Sequence, residues 1–76
     1  MVNVEKEILL MQLSKRLKEL RKEKGVTQLD VLNDTGILIS RIEQGKRDVS
    51  IYSLFKLCKY FDITLSSILE NKAHKN

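Results

Sequence analysis

The stretch "NDTGILISRIEQGKRD", residues 33–48, holds the side chains with the clearest chemical purpose. It opens on two turn formers, turns apolar, becomes charged and stops at a glycine. Ile39 and Ile42 supply an apolar face, so one side of a short helix is to be buried. Arg41 stands on the other side, and Gly45-Lys46-Arg47 follows. Fixed cations on a short element and its trailing loop suit the binding of anions, phosphates above all, rather than the making or breaking of bonds.

Catalysis would need a convergent set of polar groups, and the sequence offers none. Cys58 sits in an apolar stripe, where a thiol behaves as a small hydrophobe. His74 stands far from it near the end of the chain, so no nucleophile is paired with a base. Glu5/Glu7 and Glu19/Glu23 read as solvated helix surface, and no glycine-rich phosphate loop is present. One cysteine allows no internal disulfide, and one cysteine with one histidine cannot build a four-ligand zinc site. The expectation is a protein that is not an enzyme and takes no metal or cofactor. The longest apolar run, residues 8–11, is too short to span a bilayer. Residues 1–11 lack the pattern of a secretory signal. A cytoplasmic location is expected.

The elements that must position these residues are helical. The 76 residues make one small domain, 42% hydrophobic and 32% charged, without proline. The net charge of +4 suits a polyanionic partner and equally a surface tuned for solubility. The first helix covers roughly residues 5–24, with Leu10, Leu13, Leu17 and Leu20 on one face and Gly25 as its stop. Before Leu13 the apolar residues Ile8, Leu9 and Met11 point in several directions; they cover the core from outside or meet a second subunit. Thr27 caps a short second helix with Leu29, Val31 and Leu32 as its apolar residues. Asn33 and Asp34 end it. The third helix is expected over about 35–44, with Asp34 as N-cap and Gly45 after it. Ser50 caps a fourth, in which Ile51, Leu54, Phe55 and Cys58 fit the i, i+3, i+4, i+7 template and Leu57 and Phe61 widen the stripe. Thr64 caps a fifth, with Leu65, Ile68 and Leu69 inward. Residues 71–76 read as a frayed tail. The class is all-α: a single domain over 1–76 with its core at about 13–70 and a helical extension at 1–12.

Two short helices joined by a tight turn, the second followed by Gly-Lys-Arg, make a helix-turn-helix candidate. "RLKELRKEKGVTQ" (16–28), "ISRIEQGKRDVS" (39–50) and "LFKLCKYFDITLSSIL" (54–69) together resemble the phage repressor and Cro-like helix-turn-helix family, also called XRE. The resemblance covers nearly all of 13–70. It implies a five-helix, lambda-repressor-like DNA-binding domain that acts as a dimer on near-palindromic operators. It also implies phosphate contacts from Thr27 and Gln28 at the start of the second helix, and from Lys46 and Arg47 in the loop. Arg21 and Glu43 match a family ion pair that fixes the recognition helix to the first helix. Thr35, Gly36, Ile37, Leu38 and Arg41 would face the bases. Arg41 either takes guanine O6 and N7 with its planar fork or clamps a phosphate, while Leu38 and Ile37 would touch thymine methyl groups. Between Gln28 and Glu43 the chain is about three residues shorter than the family's usual spacing, close to one helical turn. The early arrival of Asn33-Asp34 assigns that loss to the end of the second helix and the turn.

The expectation is a sequence-specific regulator of transcription that binds double-stranded DNA as a homodimer. The rival is an antitoxin-like interaction module that meets a protein partner through Ile8, Leu9, Met11, Ile37 and Leu38, with DNA binding secondary.

Overall fold

A computed structural model describes residues 4–70, and the expected tail at 71–76 lies outside them. Five helices follow one another with short joints, and no strand occurs among the described residues. Helix α1, Val4–Lys24, buries Leu13, Ser14, Leu17 and Leu20 in its second half. Its first half stands clear of the core, and Val4, Ile8, Leu9 and Met11 are exposed. Helix α2, Gln28–Thr35, begins with a capping box. The Thr27 hydroxyl accepts the Asp30 N–H at 3.0 Å, and the Asp30 carboxylate accepts the Thr27 N–H at 2.9 Å. These bonds, the backbone one foremost, hold the Asp30 carboxyl below its ordinary value.

Helix α3 is Ile39–Glu43, α4 is Ile51–Tyr60 and α5 is Leu65–Ile68. Ser50 and Thr64 cap the last two, each hydroxyl accepting the N–H three residues on. Helix α3 packs on α1 and α2, and α4 packs on α2 and α5. Leu17, Val31, Ile39 and Leu57, one from each of the first four helices, are fully buried at the centre. Truncating any of them to alanine should cost about 2–5 kcal/mol, most of what a domain this small can lose.

Two expectations are corrected. The first concerns the third helix, which does not cover 35–44, and Asp34 does not cap it. Helix α2 runs on through Asn33 and Asp34 to Thr35. Gly36 ends it with φ 77°, donating its N–H to the Leu32 carbonyl at 2.8 Å. That left-handed conformation suits glycine. The Thr35 hydroxyl donates to the Val31 carbonyl at 2.7 Å and accepts the Ile37 N–H at 3.0 Å. The Lys56 ammonium donates to the Thr35 carbonyl at 2.8 Å, a cation on the negative end of the helix. Asp34 accepts the Tyr60 hydroxyl at 2.7 Å instead of capping a helix. That bond pushes the Tyr60 phenol up to about 12.

Helix α2 has eight residues and α3 five, with Gly36, Ile37 and Leu38 between them. The second concerns which faces are inward. On α4 the core takes Leu54, Leu57 and Cys58, and leaves Ile51 and Phe55 exposed. Leu29 on α2 and Leu69 after α5 are exposed as well. Each stripe read from the sequence was wider than the neighbours of a five-helix domain can cover.

Candidate nucleic-acid interface

Position in this site is set by Glu43. It ends α3, is 5% exposed and accepts three hydrogen bonds. Arg21 of α1 supplies two of them, Nε to Oε2 at 2.8 Å and Nη2 to Oε1 at 3.1 Å. A bidentate guanidinium–carboxylate pair fixes angle as well as distance. The pairing raises the Arg21 guanidinium above its ordinary value. A further Arg21 nitrogen, Nη1, donates to the Val26 carbonyl at 3.3 Å, which ties in the α1–α2 joint. The third bond to Glu43 comes from Gln28, whose Nε2 donates to Oε1 at 2.8 Å. The start of α2, the end of α3 and the end of α1 are thus held by one carboxylate.

Gln28 was read from the sequence as a phosphate ligand. The structure gives its amide an internal partner, which uses one of two N–H donors and leaves the other. Thr27 is likewise engaged, as the cap of α2. The capping role of Thr27 is legible in the sequence; the structural task of Gln28 is not, because its partner, Glu43, arrives from a different helix.

Beside α3 the chain forms an open depression. Gly36, Ile37, Leu38 and Arg41 line it together with Arg47, Asp48 and Ser50. Four of the five residues assigned to base contact therefore meet Arg47 of the following loop. Thr35 stands apart from them, with its hydroxyl turned back on its own helix. Lys46 is exposed in the loop outside the depression. Ile37 is half-buried against the core, whereas Leu38 is 43% exposed. Among the described residues neither Arg41 nor Arg47 forms an ion pair, while Asp48 beside them is taken by Lys6 at 3.0 Å. The charges that line the depression are Arg41, Arg47 and Asp48, and Ile37, Leu38, Ile42 and Val49 supply its apolar lining.

Gly45 brings the loop into place. With φ 73°, its Cα lies so close to α1 that an added Cβ would come within 3.0 Å of Ser14 Oγ. A side chain here would be strained by the positive φ and would crowd the Ser14 hydroxyl.

Two contacts that shape the site carry no signal in the sequence: Lys56 on Thr35, and Tyr60 on Asp34. Both brace the end of α2 from α4. Among the described residues no cluster of His, Cys, Asp and Glu is placed to hold a metal ion, and no helix is long and apolar enough to cross a membrane.

Two short helices at a tight glycine turn, locked to a third by a buried carboxylate, define a helix-turn-helix unit. Residues 14–73 match the family of helix-turn-helix domains, and the chain belongs to that family. No curated protein and no solved structure matches it.

Proposed function

We propose that the chain is a sequence-specific regulator of transcription that binds double-stranded DNA as a homodimer on a near-palindromic operator. The observation that carries this reading is that Arg41 and Arg47, neither of them in an ion pair among the described residues, line one open depression beside the helix-turn-helix turn, where Asp48 is held by Lys6. Helix-turn-helix domains place the second helix of the motif in the major groove. Here that helix is short, so the turn residues Ile37 and Leu38 come to the groove with Arg41. Arg41 reads a guanine edge and Leu38 meets a thymine methyl group. Lys46, Arg47, Thr27 and the free amide hydrogen of Gln28 bind phosphates and set the register. The net charge of +4 favours the same partner. No catalytic step and no cofactor belong to this reading, and its location is the cytoplasm. The mode of regulation in this reading is occlusion of a promoter, or contact with polymerase from an adjacent site.

The test separates readout from positioning. Arg41→Ala should cost about 1–3 kcal/mol at the preferred site and little on random DNA. Lys46→Ala should weaken all sites alike and lower the slope of log K against log salt by about 1. Equal behaviour of the two variants, measured by titration at several salt concentrations, would refute the division of roles.

The exposed apolar residues favour a second reading, an antitoxin-like module that binds a protein partner. Tight binding of another protein by a chain that shows no preference among DNA sequences would select it.

A further inference from the structure

Six large hydrophobic side chains are exposed on two helix faces. On α1, Val4, Ile8 and Met11 follow at i, i+4 and i+7 and are 59%, 49% and 65% exposed. On α4, Ile51, Tyr52 and Phe55 are 68%, 65% and 50% exposed. Single exposed hydrophobics are ordinary, but two ordered strips are not.

The two strips differ in charge. The first turn of α1 is acidic, with Glu5 and Glu7. The α4 strip is basic: the Lys56 ammonium lies 5.5 Å from the ring centre of Tyr52, and that of Lys59 lies 5.5 Å from the ring centre of Phe55. Each strip therefore suits the other better than it suits itself. On one molecule Lys6 bridges to Asp48 at 3.0 Å from the face of α1 opposite its strip, so the first turn of α1 lies near the chain that leads to α4. A surface with an apolar acidic side and an apolar basic side meets the requirement of a twofold interface, in which residue i touches j and j touches i.

We propose that the occupant of these faces is a second copy of the chain, the start of α1 in each copy docking on the outer face of α4 in the other. This locates the homodimer of the proposed function and rests on that reading for its dimeric state. The six side chains would remove on the order of 500 Å² of apolar surface per copy, about what the apolar part of one side of a standard interface needs.

Sedimentation equilibrium of the full chain, with helix content followed by circular dichroism, tests the proposal. The wild type should dimerise with a Kd between about 1 and 100 μM. Ile8→Ser and Ile51→Ser should each raise the Kd at least about tenfold, since each empties one half of the same contact, with helix content unchanged. A chain carrying Glu5→Lys and Glu7→Lys should self-associate poorly, as should one carrying Lys59→Glu. The two mixed together should form a heterodimer, because each reversed face then meets its complement. A wild type that stays monomeric at about 0.1 mM would overturn the proposal. So would a dimer that Ile8→Ser weakens but Ile51→Ser and Lys59→Glu leave alone, which would mean pairing of α1 with α1. A dimer lost only on Leu69→Ser, beyond α5, would overturn it as well. Binding of the same proteins to duplex DNA keeps the two readings apart. A monomeric wild type that still selects a DNA sequence contradicts the interface alone, whereas a dimer with these faces and no selectivity contradicts the DNA reading.

Discussion

At the scale of single residues, Glu43 governs the geometry. Its carboxylate joins three helices through hydrogen bonds of 2.8–3.1 Å. Glu43→Ala would leave the Arg21 guanidinium, 16% exposed, without its partner. The loss should be about 3 kcal/mol, read by urea denaturation. It would disturb the angle of α3 before it unfolded the domain, so DNA binding should fall in variants that still show full helix content. Tyr60 gives a prediction in pH. Its hydroxyl proton is held by Asp34, and its folded pKa stands at about 12 against an ordinary value of 10.0. A folded value above the unfolded one means that the stabilisation is complete below the unfolded pKa. It is lost as pH rises through the window between the two. Thermal unfolding followed from pH 9 to pH 12, each value about one unit outside or at the window's edge, should show a fall that Tyr60→Phe removes.

At the scale of elements, the turn between α2 and α3 is the unusual part. The bond from the Gly36 N–H to Leu32, with φ 77°, ends α2, and α3 begins only at Ile39. Gly36→Ala should therefore cost about 1 kcal/mol in chemical denaturation and move Ile37 and Leu38, although an added Cβ meets no atom within 4 Å. The sequence made much of this fold legible. Leucine spacing placed the core half of α1, and Thr27, Ser50 and Thr64 marked three helix starts. Asn33-Asp34 misled, because their turn preference is local while the choice here is not. Lys56 and Tyr60, more than twenty residues away, stabilise the end of α2 and let the helix absorb both residues. Ile51 and Phe55 misled in another way. Their spacing fits a buried stripe, but periodicity reports only that a face is apolar, not that this chain covers it. Of the site, the cations and the apolar residues of "GILISR" were readable from type and order. The bond from Gln28 to Glu43 and the meeting of Arg41 with Arg47 were not, since both depend on the angle between helices.

At the scale of the whole molecule, the domain carries two kinds of surface. One is the depression with Arg41 and Arg47, open beside the helix-turn-helix turn. The other is the pair of apolar strips on α1 and α4, opposite in charge. In the proposed function a short α3 would give each copy few base contacts, and selectivity would come from two copies acting together. Two half-sites should then lie about one DNA turn apart, roughly 10 bp centre to centre. The most direct measurement is a binding selection: the purified full chain is mixed with random duplex DNA at near-physiological salt, and the retained fragments are sequenced. Enrichment of an inverted repeat with that spacing is the expected result. Weak, salt-sensitive retention without any enriched sequence would contradict the account, for the basic charge alone would then be acting.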